Sequence, residues 1–399
     1  MRTRYAGIFF TVLSLAWCGK AGAGTVWTSP ITNAVLWTKA GSPHTWGGSL
    51  VINSGGIITV EPGAAIQVPA AQHISSEAGA QILALGTPDD PIRIGGVSDT
   101  TVGGILYLNS SLTSQFRYCH FSNLTQIQIS SQAPQANHLF EHCVFRKFTA
   151  HVILLNNAPV RILHCIFQNN ATTEYGVRMN VGGGGLTDEN VPTIWYNAFD
   201  RNGLIAYSES SSNPDFRDRE FFRFNLVRGG TGVCVQDGPN SSISRVRIVD
   251  NDLSKCAVSF QLLSNPHTAH SVERCDVSAF TYQNGDVSTL TNLANNYWGT
   301  NDLAAITSRL FAGAASTNTA VPLHPQSWFP HADVDGSDGG NATTLQDADL
   351  VKQHLVGMTN LTSGQLTVAD VDHNGTVDAR DALIIESFVN GLIWKLPVP

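Results

Sequence analysis

Charge is scarce in this sequence: Asp, Glu, Lys and Arg make up 14% of its 399 residues, against about 25% in ordinary globular proteins. The charge that exists is uneven. Residues 331–399 hold ten acids and three bases, a net −7, and the rest carries 21 acids against 20 bases. A body so near neutrality has no field to draw nucleic acid or an anionic membrane, so neither is expected as a partner. Long apolar runs are missing too. Beyond the first two dozen residues nothing approaches the roughly 18 apolar residues of a spanning helix, so no membrane span is expected. No Cys-x-x-Cys occurs, which argues against a structural zinc site. In place of charge the chain is rich in Gly, Asn, Ser and Thr, a bias that fits an exported β-rich protein.

The N-terminus points to export. Arg2 and Arg4 precede the apolar run Ala6–Trp17, and Ala21-Gly22-Ala23 places small residues before a cut at Gly24. Residues 1–23 read as a secretory signal peptide, which places the protein outside the cell. A lipoprotein signal through Leu15-Ala16-Trp17-Cys18 is disfavoured by Trp17.

Residues 24–328 read as one β domain. Short β-branched runs follow one another without helices between them, such as Leu50-Val51-Ile52, Ile57-Ile58-Thr59-Val60 and Gln81-Ile82-Leu83-Ala84-Leu85. Glu61-Pro62-Gly63 and Gly86-Thr87-Pro88 supply turns. Such spacing fits a solenoid or a sandwich. A recurring triplet separates the two. It reads Cys119-His-Phe121, Cys143-Val-Phe145, Cys165-Ile-Phe167, Asn197-Ala-Phe199, Asn225-Leu-Val227, Asn251-Asp-Leu253, Cys275-Asp-Val277 and Asn296-Tyr-Trp298. Its first members lie 24, 22, 32, 28, 26, 24 and 21 residues apart. Residues two apart on a strand share a face. Stacked coils would line up one inward file of Cys/Asn and one of bulky apolar residues, with turns of variable length between. An Asn file stabilises such a stack because each amide bonds to its neighbour along the axis.

Six cysteines follow the signal peptide: Cys119, Cys143, Cys165, Cys234, Cys256 and Cys275. An even count in an exported chain invites disulfides. Three consecutive members of one file point the same way and cannot pair off, so Cys119, Cys143 and Cys165 are expected as buried thiols.

The pattern resembles the right-handed, single-stranded parallel β-helix of pectate-lyase-like repeat proteins. The phrases Asn295-Asn296-Tyr297-Trp298-Gly299-Thr300 and Val321-Pro322-Leu323-His324-Pro325 look like its last coil and exit. The resemblance implies a fold, and that fold hosts lyases, hydrolases, adhesins and inert stalks alike.

The residues just before the file positions are expected to face out. Tyr118, His142, His164, Tyr196 and Phe224 then form an aromatic and imidazole stripe, a candidate for stacking on sugar rings. Asp250, Asp252 and Asp276 are the candidate catalytic carboxylates, since two carboxylates about 5 Å apart suit a retaining glycosidase. The signatures Gly-His-Gly, Asn-Thr-Asp and Arg-Ile-Lys of pectate lyases and polygalacturonases are absent, and Arg146, Arg161, Arg178, Arg201 and Arg228 sit in no recognisable motif.

The clearest motif is D-V-D-H-N-G-T-V-D-A-R-D, residues 370–381. Its oxygens fall at the ligand positions of an EF-hand calcium loop. Asp370, Asp372 and Asn374 would offer side-chain oxygens and Thr376 its carbonyl. Asp378 would act through a water and Asp381 would close the site. Gly375 permits the sharp turn. A helix is expected over Ala382–Leu392, and none before the loop. Aligning Gly357 with Gly391 pairs Asp347 with Asp381 and Thr344 with Asp378. A longer first loop, residues 333–347, then offers Asp333, Asp335 and Asp347, with Asp338 or Asn341 in the middle.

Two calcium loops of this kind, each followed by one helix and closed by Asp, resemble a type I dockerin module over residues 329–399. The resemblance implies a small α-helical domain, Ca2+ as cofactor and a cohesin-like protein as partner. In dockerins, loop positions 10 and 11 help contact the cohesin; here they are Leu345 and Gln346 in one half and Ala379 and Arg380 in the other. The expected protein is therefore a mainly β solenoid carrying a calcium-folded tether, its rod acting on or binding polysaccharide as a glycoside hydrolase or polysaccharide lyase. The alternative is a non-catalytic surface adhesin or spacer on the same anchor.

Overall fold

The computed structural model describes residues 24–98, 100–130, 136–156, 158–168, 170, 175–181, 192–200, 203–209, 222–223, 225–228, 233–237, 247–249, 251–255, 258–262, 271–273, 275, 282–284, 334–335, 344–372 and 374–389. The β part is a parallel solenoid. Its strands form three ten-stranded sheets, and every pairing between named strands is parallel. Each coil visits the sheets in turn. In one coil, Cys119–Ser122 lies in the first sheet, Leu124–Ser130 in the second and His138–Glu141 in the third.

The file read from the triplet is real. Phe121, Phe145 and Phe167 pair in register with the next coil, and their rings stack with Phe199 at centroid distances of 5.0, 4.7 and 4.4 Å. Phe116 and Phe140 form a second stack at 5.0 Å on the third sheet, continued inward by Ile162, Ile194 and Phe222. All are buried, as are Leu106, Ile127, Ile153 and Val177 on the second sheet. These rows make one continuous core. Burial of this kind contributes about 25 cal/mol per Å² of apolar surface.

The Cys/Asn file has a specific task. The residue before each member, Tyr118, His142, His164 or Tyr196, turns the chain with φ between 48° and 61°. That turn points one N–H and one C=O into the core on every coil. The next coil's file residue answers both. Asn197 Nδ2 donates to Ile162 O at 2.9 Å, and its Oδ1 accepts from Cys165 N at 2.8 Å. Asn225 does the same for Ile194 O (2.8 Å) and Asn197 N (3.0 Å), and Asn251 for Phe222 O (3.1 Å) and Asn225 N (2.9 Å). Cysteine is a weaker version of the clamp. Cys165 Sγ donates to Phe140 O at 3.5 Å and accepts from Cys143 N at 3.4 Å. Cys119, Cys143, Cys165 and Cys275 are buried free thiols, and burial pushes Cys119 and Cys165 up, away from the reactive thiolate. Cys234 lies on a strand whose side chains are not described, and Cys256 and Asn296 lie outside the described residues, as do residues 1–23 and the closing phrases.

The N-terminal end of the core is closed by aromatics. Trp37 stacks on His44 at 5.2 Å and Trp46 lies 6.3 Å away. His44 accepts from Trp27 Nε1 through Nδ1 at 3.0 Å, and its Nε2 meets Thr38 O at 2.8 Å. Burial lowers its pKa.

A second buried imidazole predicts a pH dependence. His138 Nδ1 accepts Ser114 N at 3.1 Å, and burial lowers its pKa to about 4. An unfolded histidine titrates near 6.5. Between those values the unfolded chain binds the extra proton, so stability is complete above pH about 6.5 and falls as pH drops toward 4. The loss expected from this group is about 3 kcal/mol. Urea unfolding at pH 7 and pH 4.5 measures it, and His138→Asn, which keeps an acceptor without the titration, should flatten the profile. An unchanged profile in that variant would assign the acid sensitivity elsewhere.

After the solenoid come three helices: α1 (Leu345–Leu355), α2 (Ser363–Ala369) and α3 (Ala379–Val389). Val334, Ala348, Val351, Leu361, Ala369, Val371, Ala382 and Ile385 form their own core, separate from that of the rod. Two expectations are corrected. A helix does lead into the second loop. Thr362 and Gln365 cap α2 reciprocally, a capping box, and seven residues are too few for an apolar period to show. The exit helix begins at Ala379, three residues before the expected Ala382. Apolar spacing marks the buried face of a helix, whereas its first turn here is polar and set by Asp378, whose Oδ1 accepts Arg380 N at 2.7 Å.

Candidate functional site

The site is built on two buried carboxylates. Asp381, in the first turn of α3, is fully buried. Its Oδ1 accepts Val371 N (2.9 Å) and Asp372 N (3.2 Å), and its Oδ2 accepts Asp378 N (2.9 Å). Asp347, in the first turn of α1, is fully buried too. Its Oδ1 accepts Val334 N (2.7 Å) and Asp335 N (3.0 Å), and its Oδ2 accepts Thr344 N (2.7 Å). The two sets match residue for residue: Val334 with Val371, Asp335 with Asp372, Thr344 with Asp378. Each carboxylate ties the start of its loop to the start of its exit helix. The alignment of the two halves through Gly357 and Gly391 thus has a hydrogen-bonded counterpart on both sides.

The second loop is wound by its own side chains. Asp370 accepts Asn374 N (3.1 Å) and Gly375 N (2.9 Å), and Asn374 Oδ1 accepts Thr376 N (2.9 Å). Gly375 has φ +86°, open to glycine at little cost. Oxygens of Asp370, Asp372 and Asp381 all lie within 4.8 Å of one another. Asp372 Oδ2 is buried and accepts no hydrogen bond, although Arg380 Nε lies 3.2 Å away. Burial, and then the charge of Asp372 against the pull of the N–H donors, push the Asp381 carboxyl up. Three anionic oxygens converging around one buried, underbonded oxygen suit a hard cation with oxygen ligands.

The halves differ in one respect. Thr344 stands where Asp378 stands, and its hydroxyl both donates to Asp347 Oδ2 (3.0 Å) and accepts Gln346 N (3.2 Å). It caps α1 and offers no carboxylate. Gln365 Nε2 of α2 donates to Val334 O at 2.9 Å, which joins the second half to the first loop. Gln365→Ala removes that bond and half of the α2 cap. It is expected to cost about 1–2 kcal/mol of stability in the C-terminal domain, read from its thermal unfolding. Asp333 and the bulge Ser337–Gly340 lie outside the described residues.

The outer stripe of the rod exists in an altered form. Tyr118 and His142 stack at 4.8 Å, His142 and His164 at 5.0 Å, and His164 and Tyr196 at 5.0 Å, with planes within 14° of parallel. These residues are one-residue left-handed corners, so the expected strand setting is corrected. Their faces lie against one another and their edges run along the corner. Burial, and then His142, lower the pKa of His164 against the opposing Glu141. Phe224, Asp250 and Asp276 lie outside the described residues, and Asp252 is on a strand with its side chain undescribed.

Sequence reading missed the column beside this stripe. Arg117, Glu141, Leu163, Trp195 and Arg223 come into register on successive coils of the third sheet. Arg117 Nε pairs with Glu141 Oε2 at 2.9 Å. The signal was present, since each of these residues stands two before a file member.

Residues 331–390 match the dockerin type I domain, and they form one. Neither the comparison with curated proteins nor that with solved structures found a match. Type I dockerins are generally calcium-binding, and a dockerin implies a cohesin partner and, as a rule, an extracellular setting. Among the described residues no helix is long and apolar enough to cross a membrane.

Proposed function

We propose that the chain is a secreted carbohydrate-active protein, tethered by its calcium-folded dockerin to a cohesin-bearing partner, with the β-helix as the module that meets polysaccharide. The observation that carries the tether is the matching pair of buried carboxylates, Asp347 and Asp381, each holding a loop against the start of a helix. Asp370, Asp372, Asn374, Thr376, Asp378 and Asp381 would hold one Ca2+. Asp333, Asp335 and Asp347 belong to a second loop, which is longer and has threonine in place of Asp378, so calcium binds there more weakly. Bound calcium neutralises carboxylates that otherwise repel one another and fixes the helices that present the docking surface. Loop positions 10 and 11 differ between the halves, Leu345 and Gln346 against Ala379 and Arg380, so docking is one-way rather than symmetric.

Calorimetric calcium titration of the full chain should show one tight site and one weaker one. Binding to immobilised cohesins should be lost in chelator. Two equal tight sites would remove the ranking, and cohesin binding that survives chelator would remove the calcium dependence.

A polysaccharide role rests on the dockerin, since such modules tether proteins to one another around polysaccharide breakdown, and on the aromatic border of the rod. The second reading, an adhesin or spacer without catalysis, is favoured by the carboxylates of the rod at Asp90 and Glu141, both held in ion pairs. Incubation with pectin, alginate and xylan separates the two. Chain cleavage supports a hydrolase or lyase, whereas retention without cleavage supports the adhesin.

A further inference from the structure

The third sheet carries a charge that the rest of the rod lacks. From Gln115–Arg117 to Arg247–Val249 its strands bear four arginines, Arg117, Arg161, Arg223 and Arg247, and one acid, Glu141. Outside residues 331–399 the chain balances 21 acids against 20 bases, so this face is a local positive patch on a nearly neutral body. Glu141 is matched by Arg117 at 2.9 Å, which leaves the excess charge on the later coils. Arg161 is exposed. Trp195 lies in register between Leu163 and Arg223, and the coil before it carries Arg161 opposite Thr193. One corner away run the stacked edges of His164 and Tyr196. Two arginines thus flank an indole, with a phenol and an imidazole along the border.

We infer that the outer face of the third sheet around Trp195, Arg161 and Arg223 binds an anionic glycan chain. Guanidinium forks recognise carboxylate or sulfate groups in two-point fashion. An indole packs against the C–H face of a sugar ring, and phenol and imidazole edges supply hydrogen bonds to hydroxyls. The side chains repeat along the rod at the coil spacing of about 4.8 Å, close to the length of one sugar residue, so a chain lying along the axis meets the same chemistry at each step. The corner stripe read as a sugar-stacking surface becomes the hydrogen-bonding border of this face, because its ring faces already lie against one another. This inference rests on the polysaccharide reading and names the class of polymer.

The test is affinity electrophoresis of the full chain in gels containing dextran, dextran sulfate or polygalacturonate, with a single-stranded DNA oligonucleotide as a fourth ligand. The two charged polymers separate sulfate from carboxylate recognition. Retardation is expected in at least one charged polymer and not in dextran, weakening as salt rises. Arg161→Gln, an exposed change that leaves the fold intact, should weaken it at least fivefold. Trp195→Ala should weaken it further, with thermal melting as the check on folding. Arg93→Gln, exposed on the first sheet, should leave it unchanged. Equal loss in Arg93→Gln would reduce the effect to general charge and overturn the inference, as would tighter binding to the oligonucleotide. Retention in dextran that is indifferent to Arg161→Gln would overturn the anionic class and leave the polysaccharide reading standing. Passage through all three polymers without retardation would remove both.

Discussion

Asp381→Ala is expected to abolish the calcium-induced folding of the C-terminal domain while leaving the β-helix intact. The side chain accepts three N–H groups, from Val371, Asp372 and Asp378. A buried donor left without a partner costs about 1–3 kcal/mol, so the three together rival the 5–15 kcal/mol of a typical domain. The same change removes a converging oxygen from the cluster with Asp370 and Asp372, so added calcium cannot restore the structure. Asp381→Asn keeps a neutral acceptor for part of the network and should fold partially, with calcium affinity down at least a hundredfold. Asp349→Ala, on the exposed side of α1, should behave as wild type. Helical circular dichroism during calcium titration reads all three variants. A calcium-dependent gain in helix that survives Asp381→Ala would remove Asp381 from the centre of the tether. The two cores are separate, so the melting of the rod should not shift with any of these changes.

Asn197→Ala is the matching experiment on the rod. It leaves Cys165 N and Ile162 O buried without the amide that holds both. With the volume lost as well, the expected cost is about 3–5 kcal/mol. Asn197→Cys should cost about half of that, because the thiols at Cys143 and Cys165 already fill equivalent places, with Sγ contacts of 3.3 and 3.5 Å to Phe116 O and Phe140 O. The difference between the variants isolates the amide's two-point clamp from simple packing. Urea unfolding of the full chain, followed through the loss of sheet signal, gives both numbers. Equal costs for alanine and cysteine would mean that the file works by filling space and not by hydrogen bonding.

The triplet could be read because a file residue and its apolar partner stand two apart whatever the length of the turns. That invariant survives spacings from 21 to 32 residues. The calcium loop could be read because its ligands come from one short stretch, with Gly375 marking the turn. The helix α2 could not, since seven residues with a polar cap give no period. Trp195 and Arg223 could not be joined to Arg161 before the coils were in register, because 34 residues separate Arg161 from Trp195.

Sequence alone determined the features that are local or strictly repeated: the solenoid, its inward file, and the dockerin with its duplicated loops. These depend on which residues face in, and the pattern of side chains along one strand or one turn dictates that. Tertiary structure decided what the repeats put side by side. It turned the outer rings of the corner face to face, matched Asp347 to Asp381 through their hydrogen bonds, and gathered scattered arginines around Trp195. The physical reason is that a parallel coil brings residues two dozen positions apart to within about 5 Å. The chemistry of the outer face is thus set by register between coils, which no single stretch of the chain contains.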